Sequence, residues 1–248
     1  MTLSGYFHTI PRSIRPRSGC FPAYPKGYTL CGILMLISEI WKQWTLTFVT
    51  GHGSYNWWYF PFQLCSIPMY VCLSIGFISS DHARKYIPYL RAHGDKLCSL
   101  LTAFLMDFGM LGGIFTFFDT SGMHYGYLPL TIHSYAWHIL LIILGCCSGL
   151  SKKSDHSIKG YCFSVILYLV CCAAATIFNL AFYRYGIINM FYISPHYYMH
   201  QKVFCHITDI FGNGYGIAAY VTASIAGAGA FHLMWKQIIH LRIRKEIK

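Results

Sequence analysis

Long apolar runs separated by short polar segments dominate the chain. Six of these runs approach the roughly 20 residues that a helix needs to cross a bilayer. No convincing internal repeat and no stretch typical of a soluble domain interrupts them. The pattern predicts an all-α, polytopic membrane bundle of six transmembrane helices. The expected helices run from about Tyr28 to Val49, Trp58 to Ser79, Leu97 to Phe118, Leu128 to Leu150, Gly160 to Phe182, and His206 to Trp235.

Lysine and arginine residues alternate between the polar segments, and this alternation predicts the orientation. From the N-terminal arm to the C-terminal tail, the seven segments carry 4, 0, 4, 0, 3, 2 and 5 of them. Positively charged loops favour the cytoplasmic side of a membrane. We therefore expect both termini in the cytoplasm, with a basic arm over residues 1–27, a transmembrane domain over 28–235 and a basic tail over 236–248.

The composition argues against a soluble protein. Hydrophobic residues make up 55% of the chain, charged residues 11%, and the mean hydropathy is +0.44. The net charge of +11 can indicate nucleic-acid binding, but the charges fall between apolar runs, which fits anionic lipid headgroups better. The expected localisation is therefore multi-pass integral membrane. Membrane lipids are the environment and a possible substrate, no nucleic-acid partner is expected, and the oligomeric state stays open.

Charged side chains inside the apolar runs are expected to face the interior of the bundle, because each is costly in lipid. Glu39 can pair with Lys42 in the first run, three residues further on. This pair either fixes helix packing or lines a cavity. Asp107 lies midway along the third run, followed by Gly109 and Gly112, which allow close helix approach.

The sixth run carries a polar stripe. Its members are spaced so that they share one side of a helix: His206, Asp209, Asn213 and Tyr220. A carboxylate three residues from an imidazole can orient the ring and favour its charged form. The stripe therefore predicts a functional cavity in the sixth helix.

The segment YFPFQLCSIPMY, residues 59–70, places two prolines, an amide and a thiol in the second run. On an ideal helix Gln63 and Cys65 point in nearly opposite directions. Pro68 lacks the N–H that would bond the carbonyl of Leu64, so the helix is expected to open beside Cys65. Composition alone favours a packed thiol, whereas the kink favours an accessible one.

Metal and cofactor sites are not predicted. His196 and His200 are four residues apart and suit a metal only in a helix, but the segment is expected to be irregular. The 11 cysteines show no zinc or disulfide spacing and are typical of small buried hydrophobes. Haem binding would need facing histidines, and no spacing demands it among His133, His138, His206 and His232.

Taken in order, several short motifs resemble the YwaF-type integral membrane proteins, which include the animal transmembrane protein 164 group. The similarity covers roughly residues 30 to 225, and the order of the motifs carries it rather than any single one. Residues 61–66, PFQLCS, look like that family's Pro-x-His-Leu-Cys motif, with Gln63 where many bacterial members have histidine. The other matching features are Glu39, Gly109, Gly112, His133, Asn179, the segment 186–192 with its Asn189, Pro195, and Asp209 to Gly212.

The resemblance implies an enzyme. Animal relatives are regarded as phospholipid acyltransferases, and the more distant androgen-induced gene 1 proteins as lipid hydrolases. Carried over, Cys65 is the nucleophile that forms a thioester with a lipid acyl group, and His133 is its general base. Asp209, Asn179 or Asn189 would orient the histidine or stabilise the oxyanion, in a cavity with Gln63, His206 and Asn213.

A transporter is the alternative from another functional class. Intramembrane Glu39, Asp107 and Asp209 would then form a proton or ion path. The absence of an evident inverted repeat makes this alternative less attractive.

Overall fold

The computed structural model describes residues 25–247, so nearly all of the predicted N-terminal arm lies outside the described residues. This part of the chain is helical and contains no strand. Its α-helices are α1 (Lys26–Trp44), α2 (Ile67–Ser79), α3 (Asp81–Tyr86), α4 (Pro88–Phe104), α5 (Met110–Phe115), α6 (Leu128–Gly149), α7 (Ile158–Phe182), α8 (Phe204–Phe211) and α9 (Asn213–Ile247). A π-helical turn, Leu105–Gly109, joins α4 directly to α5.

Within residues 25–247, four helical stretches are long and apolar enough to cross a membrane: Pro88–Phe118, Leu128–Gly149, Ile158–Tyr185 and Asn213–Glu246. They support a membrane protein, and the helical, strand-free architecture of the described residues confirms the all-α class. The six-span count and the sides of the two termini remain predictions. α1 is extended by a π-helical turn, Thr45–Val49, but it carries Glu39 and Lys42. α2 has 13 residues, fewer than a full crossing needs.

The second predicted helix, Trp58 to Ser79, is wrong in its first half. A 3₁₀ turn covers Trp57–Tyr59, and α2 begins only at Ile67. Phe60 is extended, at φ −53° and ψ 134°, as residues before a proline prefer. Pro68 lies in the first turn of α2, where its missing N–H costs nothing. It therefore starts a helix instead of kinking one.

The sixth predicted helix is divided into two. α8 ends at Phe211 and α9 begins at Asn213, because Gly212 adopts φ +95°, a left-handed conformation that suits glycine. The predicted polar stripe is therefore broken, and Asn213 and Tyr220 do not continue the face of His206 and Asp209. α9 also continues through residues 236–247, the region predicted as a basic tail.

Small residues let the helices approach closely, as is common in membrane bundles. A Cβ on Gly32 of α1 would lie 2.9 Å from the backbone nitrogen of Leu73 in α2. The core between the long helices is aromatic. The rings of Phe108 and Tyr168 stack at 4.4 Å, and both side chains are fully buried. Large apolar side chains are exposed around the outside, as lipid-facing surfaces require, among them Ile132, Ile166, Ile177 and Leu233.

We expect Gly149→Ala to destabilise the protein by about 1–3 kcal/mol, because it overpacks the contact between α6 and α9. A Cβ at Gly149 would overlap the indole ring of the buried Trp235. The matched control is Gly214→Ala in α9, where the added carbon would meet no atom within 4 Å. Thermal unfolding in detergent measures both changes. Equal midpoints for the two variants would contradict this packing.

Candidate functional site

Cys65 lies in a turn that precedes α2, outside any helix. The turn is closed by the Ser66 N–H, which donates to the Gln63 carbonyl at 2.8 Å. The helical-wheel prediction that separated Gln63 from Cys65 therefore does not apply. The Leu64 carbonyl, expected to be left open by Pro68, accepts from the Ile67 N–H at 3.3 Å.

α5 and α6 hold the backbone of Cys65 in place. Trp137 of α6 donates its indole N–H to the Cys65 carbonyl at 3.0 Å, and its side chain is buried. Gly112 faces the same residue from α5, since a Cβ there would lie 3.9 Å from the Cys65 Cα. Cys65 is thus fixed between two helices of the bundle, and its thiol is unbridged.

His133 lies on α6, one helical turn before Trp137, and the two ring centroids are 5.7 Å apart. Its Nε2 is 2.7 Å from the hydroxyl of Ser38 in α1. The ring of Trp41 lies 5.5 Å away on the α1 side. In residues 25–247, no hydrogen bond joins the Cys65 thiol to His133. Cys65 and His133 therefore both contact Trp137, and the observed hydrogen-bond partner of the imidazole is Ser38.

The predicted pair in α1 is confirmed and is part of a larger cluster. Lys42 Nζ lies 2.8 Å from Glu39 Oε1, and Gln43 Nε2 donates to the same oxygen at 2.6 Å. Gln43 also donates to the Tyr59 carbonyl at 2.7 Å, which ties α1 to the chain before Cys65. Glu39 is buried, and its Oε2 makes no hydrogen bond to a described residue.

Most of the predicted cavity amides bind backbone instead of lining a cavity. They hold the irregular segment 186–203, here called the connector, much of which is buried. Gln63 Nε2 donates to the Asn189 carbonyl at 3.0 Å, and its Oε1 accepts from the Phe191 N–H at 2.7 Å. Asn179 makes the same two-sided contact with Met190, at 3.1 and 2.7 Å.

Two further amides complete this set of contacts. Asn189 Oδ1 accepts from the Ser194 N–H at 2.9 Å. Asn213 accepts from the Met199 N–H and donates to the Tyr197 carbonyl, both at 2.9 Å. Buried backbone needs partners, and these side chains supply them where no helix does. The predicted role of Asn179 and Asn189 at an oxyanion is not supported by this arrangement, since their observed bonds go to the connector.

His206 and Asp209 do not form the predicted pair. Both side chains are exposed on α8, and Asp209 accepts a hydrogen bond from the Tyr198 hydroxyl of the connector. This bond to the carboxylate raises the pKa of Tyr198 to about 12. His206 makes no hydrogen bond to a described residue, and therefore none to Cys65 or His133.

The sequence did not predict two pairings that the structure contains. Ser38 was not singled out, because a serine in an apolar helix is ordinary. Asp107 pairs with His232 of α9, whose Nδ1 lies 3.2 Å from both carboxylate oxygens. Both side chains are buried, and Asp107 lies in the π-helical turn Leu105–Gly109. π-helical turns occur frequently at functional sites.

In residues 25–247, no group of three His, Cys, Asp or Glu side chains is arranged to hold a metal ion. His196 stacks on Tyr183, with ring centroids 4.3 Å apart. Comparison with protein-family models, with curated proteins and with solved structures finds no match to this chain.

Proposed function

We propose that this chain is an integral membrane enzyme that transfers or hydrolyses acyl groups of lipid esters, with Cys65 as nucleophile and His133 as general base. One observation carries the proposal. The hydrogen bond from Trp137 to the Cys65 carbonyl, at 3.0 Å, ties the cysteine to α6 one turn from His133. The same segment is the one that resembles the cysteine motif of YwaF-type proteins.

The chemistry follows from the two side chains. The half-buried, apolar surroundings of Cys65 disfavour a free thiolate, so the thiol proton has to leave as the sulfur attacks. His133 takes that proton while the Cys65 sulfur adds to the ester carbonyl, and it returns the proton to the departing alcohol. The acyl group then remains on Cys65 as a thioester. Water or a second alcohol attacks this thioester and restores the thiol.

In the observed arrangement, the Ser38 hydroxyl and not the Cys65 thiol is the partner of the His133 imidazole. A hydroxyl 2.7 Å from an imidazole nitrogen has the geometry of a serine nucleophile and its base. In the proposed mechanism Ser38 holds the ring until substrate arrives, and the ring then turns from Ser38 to the thiol. Ser38 is therefore a positioning residue, and its hydroxyl is the alternative nucleophile to test.

A groove beside this cluster suits a lipid chain. It has a volume of about 410 Å³ and is lined by the buried Glu39 and the half-buried Gln43 together with apolar side chains. The apolar part includes Leu36, Ile40, Phe48 and Met69. Pro61, two residues before the turn that contains Cys65, also lines the groove.

We expect a phospholipid-like acyl probe to label the purified protein covalently, and Cys65→Ala and His133→Gln to abolish the label. Ser38→Ala should leave labelling in place, because the thiol and its base remain. Mass spectrometry of the labelled peptide identifies the modified atom. The matched thiol control is Cys162→Ala, which removes a more exposed cysteine on α7.

The labelling of these variants shows which residue, Cys65 or Ser38, carries the acyl group. Labelling that survives both Cys65→Ala and His133→Gln contradicts the proposal. Labelling that survives Cys65→Ala but disappears in Ser38→Ala moves the acyl group to Ser38 and keeps His133 as base. Loss of label in Cys162→Ala would show that the probe reports exposed thiols and not a built site.

The alternative of ion-coupled transport has weaker support. Its three carboxylates each have a separate partner: Glu39 pairs with Lys42, Asp107 with His232, and Asp209 with Tyr198. Asp209 is also exposed on α8 instead of lying inside the bundle.

A further inference from the structure

We propose that a groove along the C-terminal part of α9 binds the phosphate headgroup of an anionic phospholipid. The groove has a volume of about 510 Å³ and runs between α9 and the loop that joins α6 to α7. Lys236, Gln237 and His240 supply its polar lining, while Leu233, Ile239 and Ile243 supply the apolar lining. This site is independent of the proposed acyl chemistry.

The basic side chains that α9 contributes to the groove have no partner among the described residues. Lys236 and His240 are exposed and make no hydrogen bond or ion pair within residues 25–247. Some neighbouring cations are already paired, since Lys152 and Arg242 both pair with Glu246 and Lys96 pairs with Asp155. The charge of Lys236 instead remains available for an anion that enters the groove.

The opposite wall of the groove is fixed. His156 lines it, and its two ring nitrogens lie 3.0 Å from the Ser154 carbonyl and 2.9 Å from the Gly149 carbonyl. The buried His232 precedes Lys236 by one helical turn on α9, and the backbone of His156 and Ser157 lies beside its ring. The groove is thus built between two elements that are packed together, and it is more than a row of surface lysines.

The position along α9 suits a lipid instead of a soluble anion. α9 has 35 residues, which at 1.5 Å per residue give about 52 Å, whereas the hydrocarbon core is about 30 Å thick. The groove lies towards the end of α9 that carries Arg242, Arg244 and Lys245, the end that belongs among headgroups. The exposed Leu233, nearly one helical turn deeper than Lys236, then meets the acyl chains, while Lys236 and His240 meet the phosphate.

Native mass spectrometry of the purified full chain tests this site. Wild type should retain phosphatidylglycerol in preference to phosphatidylcholine with the same acyl chains. Lys236→Gln should weaken retention of phosphatidylglycerol about fivefold, the effect typical of one cation near anionic lipid. His240→Gln should also reduce it. The matched control is Lys245→Gln, which removes the same charge from the same helix outside the groove and should leave retention unchanged.

Two results would overturn the proposal. One is equal retention of the two lipids by wild type, and the other is an equal loss in Lys236→Gln and Lys245→Gln, which would mean general attraction to a basic surface. Excess inorganic phosphate distinguishes the source of the anion. It should not displace the lipid, and displacement by phosphate alone would show that the groove binds a free anion and not a headgroup with its chains.

Discussion

His232→Leu should destabilise the protein by about 3–5 kcal/mol, the loss typical of removing one partner from a buried ion pair. The leucine fills the space of the imidazole but leaves the buried Asp107 without the contact that the His232 Nδ1 makes with both of its oxygens. Asp107 is fully buried in a π-helical turn, so water cannot replace the lost partner. The stability of the bundle is therefore expected to depend on this pair.

The charge of Asp107, more than the lost hydrogen bond, is expected to cause the damage. Asp107→Asn alone should cost only about 1 kcal/mol, because the amide oxygen still accepts from the His232 N–H. Added to His232→Leu, the same substitution should recover part of the lost stability, since it removes the buried charge. Asp107→Asn would then lower the stability of wild type but raise that of His232→Leu.

Reversible unfolding in mixed detergent micelles measures the free energy of unfolding for the three variants. Asp209→Asn is the control, because this carboxylate is exposed and should change stability by no more than about 0.5 kcal/mol. If His232→Leu and Asp209→Asn behave alike, the pair does not stabilise the fold. If Asp107→Asn worsens His232→Leu, the buried charge is not the cause.

The long helices were predictable because their sequences contain little besides apolar residues over the length of a bilayer. The fourth and fifth runs, predicted at Leu128 to Leu150 and Gly160 to Phe182, match α6 and α7 within two residues. Hydrophobic length is a property of each segment alone, so it can be read without knowing its neighbours.

The start of the second helix could not be predicted from hydrophobic length. Residues 60–66 are nearly as apolar as a helix, and hydrophobicity does not distinguish a buried turn from a buried helix. The two prolines in and beside this stretch indicate where the helix begins. Pro61 favours an extended residue before it and Pro68 favours the first turn of a helix, so together they mark a break followed by a start.

The site depends on pairings that no local pattern contains. Ser38 and His133 are 95 residues apart in the chain, and Asp107 and His232 are 125 apart. Local spacing predicted the Glu39–Lys42 pair because both residues belong to one helix, but it wrongly paired His206 with Asp209. The connector explains the second error, because it brings Tyr198 to the carboxylate from outside the helix.

Asn179→Asp should destabilise the protein by about 3 kcal/mol, although the two side chains have almost the same shape. The Asn179 Nδ2 donates to the Met190 carbonyl at 3.1 Å, and Oδ1 accepts from the Met190 N–H at 2.7 Å. A carboxylate keeps the second bond but turns an oxygen towards the carbonyl. It thereby leaves that buried acceptor unpaired and adds a buried charge, both of which are costly.

The loss should be local before it is global, because Asn179 fixes the middle of the connector to α7. Limited proteolysis should cut Asn179→Asp within residues 186–203 faster than wild type, in parallel with a lower free energy of unfolding.

The matched control is Asn56→Asp. Among the described residues the exposed Asn56 bonds only through its Oδ1, as acceptor for the Trp58 N–H at 3.0 Å, and aspartate can make the same bond. Equal stability and equal cleavage in the two variants would mean that the two-sided amide contact does not hold the connector. A selective effect of Asn179→Asp would instead show why an amide, and not a carboxylate, is needed where irregular backbone is buried inside a membrane bundle.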